Sequence, residues 1–280
     1  MWFPALFLGF IFIEMGVNAN KIDAEGCGQR PLAPSARVVP RIVGGTESTP
    51  YSWPFMCSIE DTLWNAQICA GSLVKNRRGD YFVLTTAHCV SHANGDVARF
   101  KVWCSLHNIE GSDPLAQTLQ LDSLHVHPGF DVDYNDDVAL FQLSVAPNET
   151  SSLQPVCLPT VPHAAFEMAT VLGWGHTSEG GTRSSVLREG RKPVIADAQC
   201  EHVYSTVFKP ASMLCAGYLG IGGVDACTLD SGGPLVADRN GSYQVVGLVS
   251  WGYGCGHPEY PGVYADVYDL IAWINTIINL

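Results

Sequence analysis

Beyond residue 42 the chain alternates short apolar runs with clusters of Gly, Pro, Asn and Asp. The runs cover residues 81–86, 100–106, 138–143, 243–250 and 262–267. In the second of them Phe100, Val102, Cys104 and Leu106 alternate with Lys101, Trp103 and Ser105. A period of two predicts a half-buried strand. Many short strands between frequent turns predict an all-β barrel or sandwich. The end of the chain changes period: Val267, Leu270, Ile271, Ile274, Ile277 and Ile278 recur at helical spacing. That spacing predicts an amphipathic C-terminal helix.

The first thirteen residues are apolar, about as long as a signal-peptide core and short for a bilayer span. Val17-Asn18-Ala19 predicts cleavage after Ala19, with Ala24 as the second option. Residues 20–41 are polar and Pro-rich and read as a linker or pro-segment. This leaves residues 42–280 as the folded domain.

Composition narrows the class. Of 280 residues, 47% are hydrophobic and 15% charged, which marks a folded globular chain. A net charge of -12 repels phosphate backbones and argues against nucleic acid. Ten Cys behind a leader predict a disulfide framework and a secreted, extracellular protein. No two of them are spaced as CxxC, which argues against zinc. Asn148-Glu-Thr150 and Asn240-Gly-Ser242 are glycosylation sequons in such a chain.

Three segments carry chemistry. In Asp230-Ser231-Gly232-Gly233-Pro234, Ser231 is a nucleophile if a base sits beside it, and the glycines let backbone N–H groups approach a substrate oxygen. In Thr86-Ala87-His88-Cys89, His88 is the candidate base. In Asn135-Asp136-Asp137-Val138-Ala139-Leu140, a carboxylate enters an apolar strand, which is unfavourable unless it is paired, for instance with an imidazole. The two adjacent Asp leave that choice open on the residues alone.

Together, in the order His–Asp–Ser, these segments resemble the chymotrypsin/trypsin family of serine proteases over residues 27–280. The resemblance implies two antiparallel Greek-key six-stranded β-barrels with a C-terminal α-helix. It assigns His88, Asp137 and Ser231 as base, orienting acid and nucleophile, and the N–H groups of Leu229 and Ser231 as the oxyanion hole. Arg41-Ile42-Val43-Gly44-Gly45 resembles the family's activation junction; cleavage after Arg41 would free the Ile42 amine to pair with Asp230. Asp225 falls at the trypsin-type pocket floor, with Ser250, Trp251, Gly252 and Gly262 as walls, which implies cleavage after Arg or Lys. The family pairs Cys69 with Cys89, Cys200 with Cys215 and Cys227 with Cys255, while Cys27 and Cys157 look like a tether that retains the pro-segment. Cys57 and Cys104 remain, both in strand-like runs, and by elimination they are expected to pair. The implied partners are protein or peptide substrates, an activating trypsin-like protease and protein inhibitors, with no nucleic acid and no membrane, and the chain is expected to be a monomer.

Four positions depart from the family pattern. Leu229 stands where the family carries Gly; it keeps the N–H, but its side chain resists the backbone angles Gly tolerates. Leu106 and Ala116 replace acidic calcium ligands, so no metal or cofactor is expected. Ala169 and Ala237 replace a disulfide found in many relatives. Pro261 stands where sodium-responsive relatives carry Tyr. Two other readings follow: a protease-like binding protein with Leu229 as its lesion, and chymotrypsin-like specificity if Asp225 is screened.

Overall fold

The computed structural model describes residues 26–32, 44–111 and 113–279. The expected leader, most of the 20–41 segment and the Arg41–Ile42 junction lie outside the described residues.

The runs read from sequence become strands: four are shortened by a residue or two, and 243–250 is extended by one residue at each end. After β1 (Thr46–Glu47), the first sheet is built from β2 (Met56–Asp61), β3 (Ala66–Lys75), β4 (Tyr81–Thr85), β5 (Phe100–Cys104), β6 (Gln117–Leu119), β7 (Leu121–Val126) and β8 (Ala139–Leu143). Its spatial order is β6-β5-β2-β3-β4-β8-β7. The second sheet takes β9 (Met168–Gly173), β10 (Arg188–Ile195), β11 (Met213–Ala216), β12 (Pro234–Arg239), β13 (Ser242–Trp251) and β14 (Gly262–Asp266). Here β9 pairs with both β12 and β10, which closes the sheet on itself, and β1 adds along β10. Closure removes the exposed edges that an open sheet presents.

Each sheet thus contains seven strands where six were expected. In the first, the exposed Gln120 separates β6 from β7, and its carbonyl leaves the ladder to accept from Ser144 N–H at 2.9 Å. In the second, the extra member is the two-residue β1.

One large apolar cluster joins the two halves: Ile59, Leu84, Leu140 and Phe141 of the first sheet belong to the same core as Leu172, Trp174 and Leu248 of the second part of the chain. Burying a side chain of this size is worth about 1.5–3 kcal/mol. Trp174 is fully buried, and its indole N–H donates to His107 O at 3.0 Å. The C-terminal helix, Ile271–Ile278, buries Ile274 and Ile278 and is tied to the β3–β4 turn where Asn76 Nδ2 donates to Ile278 O at 2.6 Å.

All five expected disulfides form: Cys27–Cys157, Cys57–Cys104, Cys69–Cys89, Cys200–Cys215 and Cys227–Cys255. Cys57 and Cys104 stand directly opposite each other on β2 and β5, with Cα atoms 4.1 Å apart.

Candidate active site

His88 lies in a single helical turn, Ala87–Val90, directly after β4, and the Cys69–Cys89 bridge anchors that turn to β3. Asp137 enters β8 with 1% of its surface exposed. Its Oδ2 lies 2.8 Å from His88 Nδ1, and its Oδ1 accepts the His88 backbone N–H at 2.9 Å. A carboxylate oxygen accepts, so Nδ1 is the ring nitrogen that donates here. Ser250 Oγ donates to Asp137 Oδ2 at 2.6 Å. The buried carboxylate is therefore held by three donors, as a desolvated charge requires. Asp136 is separated from this group: it adopts φ +47° and places Oδ2 3.5 Å from His127 Nδ1.

Ser231 comes from the other sheet's side of the molecule, in the loop before β12. Its carbonyl accepts the Ala70 N–H of β3 at 2.8 Å, which stitches the loop to the first sheet. Gly232 makes that approach possible. It sits at φ +75°, and a Cβ there would lie 2.2 Å from Thr85 Oγ1 and 2.4 Å from Ala70 O. Leu229 also adopts a left-handed φ, +75°. Among the described residues, the N–H groups of Leu229 and Ser231 have no intramolecular acceptor, and Ser231 Oγ makes no hydrogen bond. The sulfur pair Cys69–Cys89 lies beside His88, but disulfide sulfurs are not thiolates and do not form a metal site with it.

Asp230 points inward and is buried. It accepts the N–H groups of Gly175 at 2.6 Å and Cys227 at 2.9 Å. Burial pushes its carboxyl up to about 7 in spite of these bonds. A Cβ on Gly173 would stand 1.9 Å from Asp230 Oδ1, which accounts for the glycine there.

Beside Ser231 opens a cavity of about 330 Å³. Asp225, Ser250, Trp251, Gly252 and Gly262 all line it, so the sequence-derived pocket residues are brought together. Asp225 is on its floor, but it is already paired. Lys192 of β10, with no exposed surface, places Nζ 2.5 Å from Asp225 Oδ1. Asp225 Oδ1 also accepts Ala226 N–H at 2.9 Å, and Oδ2 accepts Gly256 N–H at 3.0 Å.

Sequence reasoning missed Lys192. The signal was available: in β10 the inward positions are Arg188, Gly190, Lys192 and Val194, so a lysine falls at a core register. It also missed Tyr134, whose ring meets the His88 ring edge-on at 5.4 Å, and the hydroxyl of Ser250 as a support for Asp137 rather than only a wall.

A family model described as Trypsin matches residues 42–274. The chain is 36% identical to "Trypsin-1" of Astacus astacus over 84% of its own length and 98% of that protein. It is 36% identical to "Protein masquerade" of Drosophila melanogaster over 88% of the chain but 24% of that protein. It is 33% identical to "Clotting factor G beta subunit" of Tachypleus tridentatus over 91% of the chain and 84% of that protein. The chain belongs to the trypsin family of serine proteases. Hydrolysis of proteins is the reaction class of that family.

Proposed function

We propose that this chain is the precursor of a secreted serine endopeptidase, residues 1–19 being its leader and 42–280 its catalytic domain, activated by cleavage after Arg41. The observation that carries this reading is the buried Asp137 holding His88 through Nδ1, beside the Ser231 loop, where Gly232 packs against Thr85. Ser231 Oγ attacks the scissile carbonyl while His88 Nε2 takes its proton. The tetrahedral oxygen is received by the Leu229 and Ser231 N–H groups. Collapse expels the amine, which takes the proton from His88, and leaves the acyl group on Ser231. Water then repeats the sequence and releases the acid.

The described part of the pro-segment supports a tether. Cys27 is bonded to Cys157, and Gly28 exchanges backbone bonds with Pro155 O and Tyr243 N–H at 2.8 Å each. Arg30 lies 2.8 Å from Glu189 and stacks 3.8 Å over Trp53. Cleavage at Arg41 would thus leave this segment attached, and the freed Ile42 amine is expected to seek Asp230. A trypsin-like protease would perform the cleavage, the active form is a monomer open to protein inhibitors, and Asn148 and Asn240, both exposed, are available for glycosylation.

Protein cleaved after Arg41 should take up a fluorophosphonate on Ser231 and hydrolyse chromogenic peptides, and Ser231→Ala should lose both. Correct cleavage with neither labelling nor turnover would move the binding-protein reading to the front. That second reading is favoured by one observation, the left-handed Leu229 in the oxyanion loop.

A further inference from the structure

The floor of the pocket beside Ser231 is not the free carboxylate that selects a basic side chain. Asp225 offers two oxygens, and both are engaged: Oδ1 by Lys192 Nζ and Ala226 N–H, Oδ2 by Gly256 N–H. The Lys192 ammonium is wholly enclosed and also lies 4.9 Å from the Tyr264 ring centroid. The backbone that carries it is fixed: β10 pairs with β9, where Lys192 stands opposite Ala169, and at Val194 and Ile195 with β11. A guanidinium or ammonium entering this pocket would meet a second buried cation sharing one carboxylate, with its hydration lost and no counter-charge of its own.

We propose that Lys192 is a specificity determinant: its ammonium neutralises Asp225, and the pocket selects a long uncharged side chain, aromatic or aliphatic, over Arg or Lys. The walls suit such a group. Gly252 and Gly262 keep the slot open, and Val249, Val263 and the Tyr264 ring supply apolar surface. The remaining acid, Glu179, stands near Gly254 on the exposed rim, where water screens it. This inference rests on the endopeptidase reading for its kinetic consequence, but the pocket itself can be tested without catalysis.

The first arm uses Ser231→Ala protein cleaved after Arg41 and benzamidine, a flat aryl cation that needs only the pocket. No binding by calorimetry or thermal shift is expected at millimolar benzamidine. Adding Lys192→Met frees Asp225 at nearly constant side-chain volume and should produce binding at least about 10²-fold tighter. The second arm compares matched peptides ending in Phe, Leu, Lys and Arg with the Ser231 enzyme. Phe or Leu should be turned over faster than Arg, and Lys192→Met should raise kcat/KM for Arg by about 10² and lower it for Phe, because the freed carboxylate then faces an apolar side chain. Tight benzamidine binding by the Lys192 protein, an Arg preference above Phe, or a Lys192→Met variant that folds yet binds no cation would each overturn the proposal. If Lys192→Met does not fold, the two measurements on the Lys192 protein decide it. If Ser231 fails to label and no peptide is cut, the catalytic reading falls while the benzamidine arm still judges the pocket.

Discussion

Leu229 holds φ +75° in the loop that carries Ser231, the proposed nucleophile. An L-residue with a Cβ in that region is strained by roughly 1–2 kcal/mol, which glycine avoids. The strain falls on the peptide whose N–H is to meet the oxyanion. Losing one such donor outright lowers turnover by about 10²–10³, and a tilted donor less. Leu229→Gly should therefore raise kcat with little change in KM, by less than ~10², and should raise the thermal midpoint slightly. Steady-state kinetics on the cleaved protein check this. An unchanged kcat would mean that the left-handed leucine already aims its N–H correctly.

The elements that present these residues are held by close contacts across the cleft and by covalent pins. Gly232→Ala would set a methyl 2.2 Å from Thr85 Oγ1 on a left-handed backbone. That displaces either the Ser231 loop or the end of β4, so the variant should lose labelling at Ser231 even if circular dichroism shows an intact fold. Within the first sheet, the Cys57–Cys104 bridge closes a loop spanning 47 positions between two paired strands. Replacing both Cys with Ala should lower stability by about 2–4 kcal/mol. Denaturant unfolding of precursor and variant measures it.

The same elements show which parts of the fold were legible in the sequence. β5 and β13 could be read because their inward positions are apolar and recur with period two or in a continuous run. β10 could not. Its inward positions include Arg188 and Lys192, and its outward ones Glu189 and Arg191, so hydropathy carries no alternation there. The His88–Asp137 pair was legible because each member lies in a short local motif. The ion pair under the pocket was not, because Lys192 and Asp225 are separated by 33 positions and meet only through the sheet. The Ser250 hydroxyl bond to Asp137 has the same character, spanning 113 positions. Local pattern identifies elements, but a pairing that decides specificity depends on register between elements.

At the scale of the whole molecule, the electrostatic state of Asp230 couples stability to pH. Its carboxyl is raised from 3.8 to about 7, burial being the largest cause, and the nearest opposing charge, on Lys192, is committed to Asp225. A carboxyl raised on folding binds more protons in the folded chain than in the unfolded one between those two values. Stability from this group is therefore full below about pH 4 and lost as pH rises towards 7, by an amount on the order of a few kcal/mol. The uncleaved precursor should unfold at a lower denaturant midpoint at pH 7.5 than at pH 5.5. Asp269, raised to about 6, and His163, raised by its bond to Asp266, push the same way, so the contribution of Asp230 must be isolated by difference. Asp230→Asn should remove most of the slope in the precursor. If the Ile42 ammonium reaches Asp230 after cleavage at Arg41, it supplies the missing counter-charge and draws the carboxyl back down. The cleaved protein should then show little of the slope, and Asp230→Asn should destabilise it. Titration-calorimetric stability curves for the four proteins check this: a precursor with no pH slope between 5.5 and 7.5 would mean that Asp230 is already paired before cleavage, and an unchanged slope after cleavage would mean that the new amine goes elsewhere.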